Sequence, residues 1–110
     1  MNVQELIKAT DLNIVTLPSP EREVEGAYIG DLLSWVMGRA RENNAWITIM
    51  SNSNIVAVAT LADVSCIILA EGVTPDEGVT ETAESKGVNI LSSPKSAYEI
   101  AKALFKSGLL

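Results

Sequence analysis

The second half of the chain contains a repeated unit that leaves few possible folds. Each unit starts with an apolar run suited to a buried strand, continues with a hydroxyl residue and a proline, and ends at a glycine. The first unit ends at Gly87 and the second at Gly108, 21 residues later. A hydroxyl cap, a proline in the first turn and a final glycine are typical of a helix. With the strand candidate 46–50 in front, the two units predict a βαβαβα arrangement with parallel strands.

The same signals predict the remaining boundaries. Thr74 and Glu77 match a capping box for the first unit's helix, and Ser93 is the expected cap of the second. The predicted strands are 13–17, 24–29, 46–50, 66–69 and 88–91, and the predicted helices are 3–9, 31–40, 55–64, 75–86 and 94–106. A strand at 55–64 stays open as the alternative, because its residues are apolar enough for either structure. The expected fold is a three-layer α/β domain with a largely parallel sheet.

Length and composition indicate one domain, 1–110, with an aliphatic core. The chain has 110 residues, and most domains contain about 100–150. Hydrophobic residues make up 47% of the chain and aromatic residues only 5%. The core must therefore be built from Val, Ile, Leu and Ala, which suits packed strands and helices.

Charge and patterning restrict the partners and the location. The net charge of −6 would repel phosphate backbones and anionic lipids, so neither nucleic acid nor a membrane is expected as a partner. The apolar region 55–69 is too short and too polar to span a bilayer. Residues 1–5 lack the basic start of a signal peptide, and a single cysteine fits a reducing compartment. We expect a cytoplasmic protein.

The residue inventory argues against an enzyme. The chain has no histidine, the commonest general base and metal ligand. One cysteine cannot supply the four thiolates of an iron–sulfur cluster, and Cys66 lies in an apolar strand where an inert core role is expected. The glycine-rich phosphate loop of nucleotide-binding enzymes is absent from the sequence. We therefore predict no catalytic residue, no metal site and no cofactor.

The helix at 31–40 carries more apolar surface than one buried face uses. Its apolar residues cover roughly 200° of the circumference at 100° per residue, whereas a surface helix usually shows a narrower stripe. A helix with this pattern is expected to be covered both by its own domain and by a second subunit. The residues predicted to form this homodimer interface are Leu32, Trp35, Val36 and Met37.

Small polar residues follow each predicted parallel strand. Ligands of open parallel sheets bind beyond the carboxyl ends of the strands, near helix N-termini. The candidates for binding a small polar ligand there are Asp31, Ser51, Asn52, Asn54, Glu71, Ser92 and Ser93. The alternative interpretation is that these residues only cap helices or form turns, with Asp31 as the cap of the helix at 31–40.

Two parts of the chain resemble a known family. Residues 66–72, 74–77 and 88–93 are similar to the N-terminal domain of bacterial HPr kinase/phosphorylase. Together with residues 27–38, they resemble the stand-alone DRTGG-domain proteins of anaerobic bacteria. The resemblance implies an α/β fold of the type found in the N-terminal domains of muramyl ligases, and a tendency to dimerise. The Asp-Arg-Thr-Gly-Gly motif itself is absent, and only Glu21-Arg22-Glu23 lies in that area.

The resemblance also indicates the functions to compare. The kinase site of HPr kinase lies in a C-terminal domain that this chain lacks. The leading hypothesis is a non-catalytic regulatory, ligand-sensing or scaffolding module that homodimerises. The alternatives are an accessory protein of an iron-only hydrogenase or other redox complex, and a fragment related to serine (HPr) kinase without kinase activity of its own.

Overall fold

The computed structural model describes residues 1–109 and shows five helices and five strands within them. The helices are α1 (Val3–Thr10), α2 (Leu33–Arg39), α3 (Asn54–Ala62), α4 (Val79–Lys86) and α5 (Ala97–Lys106). The strands are β1 (Asn13–Thr16), β2 (Ala27–Ile29), β3 (Ala45–Thr48), β4 (Cys66–Leu69) and β5 (Ile90–Ser92). The alternation of strands and helices from β2 onward confirms the predicted βαβ units.

The strands form one sheet in the order β1-β5-β4-β3-β2. Four neighbouring strands, β2 to β5, are parallel, and β1 adds to the β5 edge in the antiparallel direction. The pairing of β1 with β5 is irregular between Ile14 and Thr16. The largely parallel sheet is therefore confirmed, and β2 and β1 are its two edges.

Alternating side chains of the buried strands supply two cores, one on each face of the sheet. Ile47 and Ile68 pack with α1 and α5, whereas Trp46 and Ile67 pack with α2, α3 and α4. Both central strands, β3 and β4, are buried along their whole length, as expected for strands covered on both faces. The three-layer α/β architecture is confirmed.

Two of the predicted helix starts are wrong. The helix expected from Pro75 begins at Val79, because Gly78 has a left-handed φ of 86° that a continuous helix does not allow; in the loop before it, the Asp76 amide donates to the Ser51 carbonyl. The helix expected after Ser93 begins at Ala97, and Ser96 is its cap. The capping residues chosen from the sequence therefore belong to loops at the carboxyl ends of the strands.

The structure also fixes the limits of three other predicted elements. The strand expected at 24–29 is restricted to β2, because the Val24 amide donates to the Met1 carbonyl and the Glu25 amide to the Asn43 carbonyl. The open choice at 55–64 is settled as a helix, α3. The strand at Cys66–Leu69 has the predicted limits.

Candidate ligand-binding site

The loops after β2, β3, β4 and β5 meet at one edge of the sheet, which we call the carboxyl rim (residues 30–32, 49–53, 70–78 and 93–96). Asp31 joins the first two loops. Its Oδ1 accepts a hydrogen bond from the Thr48 hydroxyl at 2.8 Å and one from the Ile49 amide at 3.0 Å. The indole Nε1 of Trp46 in β3 donates to the Gly30 carbonyl at 2.9 Å and so holds the 30–32 loop against the sheet.

The third loop is attached to the second by two hydrogen bonds between Ser51 and Asp76. The Ser51 hydroxyl donates to Asp76 Oδ1 at 2.9 Å, and the Asp76 amide donates to the Ser51 carbonyl at 2.9 Å. Asn52 instead serves its own loop, since its Oδ1 accepts from the amide of Asn54 at 2.9 Å. Ser51 therefore joins two loops, whereas Asn52 stabilises the start of α3.

The fourth loop is joined to the third through backbone groups. The Glu71 amide donates to the Lys95 carbonyl at 2.9 Å, and the Gly72 amide to the Ser93 carbonyl at 3.0 Å. Glu71 has φ of 60°, a left-handed conformation that a non-glycine residue adopts at some cost. Ser93 is buried, and its Oγ accepts from the Lys95 amide, while Ser92 is half-buried at the end of β5. The two serines are thus less accessible than Asp31 or Glu71.

The capping interpretation is wrong for Asp31 and Ser93. Helix α2 begins after Leu32 without a side-chain cap, because the Asp31 carboxylate is turned toward β3. Asn52 and Ser93 instead each accept a hydrogen bond from the amide two residues later, that of Asn54 and that of Lys95, which is the turn contact that the alternative interpretation also includes. The contacts that bring the predicted residues together involve residues outside the prediction, which are Thr48, Ile49, Gly72, Asp76 and Lys95. Their roles depend on which strands are neighbours, so spacing along the chain gives no signal for them.

The carboxyl rim is acidic. Asp31, Glu71, Asp76 and Glu77 are all exposed there, and Lys95 is the basic residue of the last loop. Because carboxylates attract cations and repel anions, the rim favours neutral or cationic groups. Among residues 1–109, no cluster of three or more His, Cys, Asp or Glu side chains is arranged to hold a metal ion.

The candidate dimer surface is smaller than predicted. Leu32, Trp35 and Met37 are exposed by 60%, 54% and 46%, but Val36 is fully buried in the core beneath α2. Val36 is therefore removed from the candidate surface. Trp35 and Met37 are two residues apart, which places them about 160° apart around the helix. Leu32 and Trp35 thus form one flank of α2, and Met37 belongs to the other.

Trp35 also has a neighbour within its own chain. The guanidinium carbon of Arg39 lies 3.9 Å from the centre of the indole ring, a cation–π contact on one face of the ring. More than half of the side chain is still accessible. We call Leu32 and Trp35 the α2 flank.

The Glu21-Arg22-Glu23 segment lies away from the carboxyl rim. Arg22 Nη2 forms an ion pair with Asp63 at 2.9 Å and donates to Asn43 Oδ1 at 3.0 Å. Asn43 and Asp63 precede β3 and β4, so this segment lies at the amino ends of the strands. Arg22 therefore has a structural role in joining two loops.

Cys66 is fully buried in β4, and burial raises the pKa of its thiol from 9.0 to about 12, with the charge of Arg22 acting weakly in the opposite direction. The thiol is therefore protonated at neutral pH and shielded from reagents, as the sequence predicts for a core residue.

We predict that Cys66 makes stability depend on pH above 9. An unfolded chain loses the thiol proton near pH 9.0, whereas the folded chain keeps it up to about pH 12, so the free energy of unfolding falls between these values. Urea unfolding at about pH 8 and about pH 10.5 would measure the loss in the native chain and in Cys66→Ala. Because tyrosine and lysine titrate in the same range, the variant supplies the reference. Equal losses in both proteins would contradict the prediction.

A further cavity lies between α3 and α4 and meets the rim only at Ser53. Its volume is about 320 Å³, and Val56, Ala57, Leu61 and Thr82 form part of its wall.

None of the helices formed by residues 1–109 is long and apolar enough to cross a bilayer.

The fold and the rim define a small three-layer α/β domain with polar loops gathered at the carboxyl ends of its parallel strands. The chain belongs to the DRTGG domain family, whose profile matches residues 3–107. No curated protein shows significant similarity to the chain.

A solved structure shares this fold. It contains the CBS and DRTGG domains of the regulatory region of Clostridium perfringens pyrophosphatase, complexed with the activator diadenosine tetraphosphate. The TM-score is 0.76 at 13% sequence identity, over 96% of this chain and 46% of that one. This chain thus spans about half of that regulatory region, and at this identity the similarity concerns the fold.

Proposed function

We propose that this protein is a non-catalytic regulatory module that homodimerises through the α2 flank and senses a small polar ligand at the carboxyl rim. One observation carries the proposal: Asp31, which fixes the rim to β3, is followed directly by the exposed flank residue Leu32 and, one helical turn later, by Trp35. A ligand that binds Asp31 therefore contacts the segment that begins α2. The role of the C. perfringens regulatory region supports a regulatory assignment.

The coupling requires that ligand and dimer favour the same arrangement of the 30–32 loop. A ligand changes an equilibrium only by its difference in affinity for the two states. If the ligand replaces the bonds from Thr48 and Ile49 to Asp31, the loop is released and Leu32 moves with it. Binding at the rim then changes the dimer affinity, and dimerisation changes the ligand affinity by the same factor.

The acidic rim supports one kind of ligand. Asp31, Glu71 and Asp76 favour a neutral or cationic molecule with hydrogen-bond donors, such as an amine or an amide. A polyphosphate would bind there only with a cation that offsets its charge. The relation to HPr kinase, indicated by the sequence, belongs to the same proposal: the chain would act as a regulatory part without kinase activity.

We predict that Trp35→Glu dissociates the dimer. The native protein is expected to sediment as a dimer at micromolar concentration. A glutamate in the centre of an apolar interface should weaken association at least about thirtyfold, while the circular dichroism spectrum stays unchanged because Trp35 lies outside the core. Leu61→Glu on α3 is the matched control, since Leu61 is 69% exposed and distant in sequence from α2. A native monomer, or equal effects of both variants, would refute the interface.

We also predict that polar cations or amides stabilise the native protein through Asp31. A thermal-shift series with a polyamine, a nucleoside, and adenosine nucleotide with and without Mg²⁺ tests the ligand classes. A ligand present at a hundred times its Kd stabilises by about 2.7 kcal/mol. Asp31→Asn keeps the shape of the side chain and removes its charge, so the shift with the polyamine should disappear. A shift that persists in Asp31→Asn places the binding elsewhere, and the cavity between α3 and α4 is then the next site to test.

A further inference from the structure

The outer edge of the sheet at β2 has backbone groups without a strand partner. β2 pairs with β3 in the register Ala27↔Ala45, Tyr28↔Trp46 and Ile29↔Ile47. The Ala45 amide donates to the Gly26 carbonyl, and the Gly30 amide donates to the Ile47 carbonyl. Because alternate residues of a strand face the same neighbour, Gly26, Tyr28 and Gly30 face β3. The amides and carbonyls of Ala27 and Ile29 therefore point away from the sheet.

The β2 edge has only one of the devices that usually prevent edge pairing, its shortness of three residues. Sheet edges are normally protected by short strands, bulges, prolines, charged side chains or a covering segment. The other edge, β1, has an irregularity between Ile14 and Thr16. In contrast, β2 is regular and uncharged within a chain of net charge −6. Ala27 is exposed and Ile29 is 50% exposed, so their side chains are available beside the free backbone groups.

We infer that two copies of the chain join through their β2 strands, antiparallel, with Ala27 opposite Ile29 of the second copy. A two-fold axis perpendicular to the sheet requires the antiparallel direction. Centring the pair on Tyr28 places both outward-facing residues in hydrogen-bonded pairs, which gives four backbone hydrogen bonds. Centring the pair on Ala27 or on Ile29 instead gives only two backbone hydrogen bonds between the two β2 strands. The dimer then contains one continuous ten-stranded sheet.

This inference rests on the proposed homodimer and specifies its geometry. Helix α2 packs on the face of the sheet that includes Tyr28 and Trp46, and its contacts with α3 leave one side of it toward the β2 edge. Joining the β2 strands therefore brings the two α2 helices to the same side of the new sheet. The apolar surface predicted for α2 and the free backbone of β2 become parts of one interface.

The charges at the ends of β2 give the interface a salt dependence. In this register Glu25 lies opposite Asp31 of the second copy. Each carboxylate is held by its own chain, Glu25 by the Asn43 side-chain amide at 2.9 Å and Asp31 by Thr48 at 2.8 Å. The repulsion between them is screened by salt, so the dimer should tighten as ionic strength rises.

Disulfide trapping tests the register. Ala27→Cys and Ile29→Cys are prepared separately, mixed to allow exchange, and oxidised mildly. In the inferred register the two new cysteines lie opposite each other with Cα atoms about 5.5 Å apart, within disulfide range. Two copies of the same variant hold their cysteines about 8 Å apart, because the offset of two residues adds about 6.8 Å along the strand. The native Cys66 is buried and does not interfere. Leu61→Cys measures collisional cross-linking.

The expected result is a covalent dimer in the mixture at several times the yield of either variant alone. Equal yields in the mixture and in Ala27→Cys alone would overturn the register. A dimer by sedimentation without cross-linking above the Leu61→Cys level would overturn edge pairing while leaving the proposed homodimer intact. A monomer at micromolar concentration would overturn both.

Discussion

Trp46→Ala is expected to lower the free energy of unfolding by about 3–5 kcal/mol, the range for truncating a buried aromatic side chain. Trp46 is fully buried between β3 and the helices α2, α3 and α4, so its removal leaves a cavity. The same change removes the hydrogen bond from its Nε1 to the Gly30 carbonyl. Because Gly30 precedes Asp31, the substitution should loosen the carboxyl rim as well as the core.

The second tryptophan provides the matched control. Trp35 is 54% exposed and contacts Arg39, so Trp35→Ala should cost less than about 1 kcal/mol. Urea unfolding followed by circular dichroism, at a concentration that holds both variants in one oligomeric state, measures the two losses. Trp46→Phe separates the two contributions, because it keeps most of the packing and loses the bond to Gly30. Similar losses for Trp46→Ala and Trp35→Ala would contradict the burial seen for Trp46.

The repeated units allowed the parallel part of the sheet to be predicted, because their physical causes are local. The apolar runs of β3, β4 and β5 and the apolar faces of α3 and α4 each reflect burial by the neighbouring layer. The addition of β1 beside β5 had no such signal. Its direction and position depend on tertiary contacts such as the hydrogen bond from the Thr16 hydroxyl to Glu84 on α4.

Helix starts were less predictable because a capping motif competes with bonds from other loops. Thr74 and Ser93 have suitable sequences, yet their segments are bound across the carboxyl rim to Ser51, Glu71 and Gly72. The bonds from Glu71 and Gly72 occupy the carbonyls of Lys95 and Ser93, which a helix starting after Ser93 would use, and the left-handed Gly78 separates the Thr74 segment from α4. A motif of four residues carries no information about such distant partners.

The location of the candidate site was predictable from the sequence, whereas the contacts of its residues were less so. Parallel strands bring their carboxyl ends to one edge, so Asp31, Ser51 and Glu71 were correctly placed at that edge by chain order alone. The bonds of Asp31 with Thr48 and of Ser51 with Asp76 depend on the strand order. The breadth of the apolar stripe on α2 was likewise visible, whereas the burial of Val36 at its centre required the packing against Trp46.

Asn89→Ala is expected to cost about 3–5 kcal/mol, which is unusual for one polar side chain, because several buried groups lose their partners together. Asn89 is 1% exposed just before β5. Its Oδ1 accepts from the Ser19 amide at 2.8 Å, and its Nδ2 donates to the carbonyls of Ser19 at 2.8 Å and Ser65 at 2.9 Å. One amide thus joins the segment after β1 to the start of β4, at the end of the sheet opposite the carboxyl rim.

The control and the charged variant make this prediction specific. Asn52→Ala removes one bond at a half-buried position, that to the Asn54 amide, and should cost about 1 kcal/mol in the same urea measurement. Asn89→Asp keeps the acceptor but places a carboxylate against the carbonyls of Ser19 and Ser65, so it should be least stable at neutral pH and recover as the carboxyl is protonated in acid. A loss for Asn89→Ala no greater than that for Asn52→Ala would show that the amino end of the sheet is held by its apolar contacts instead.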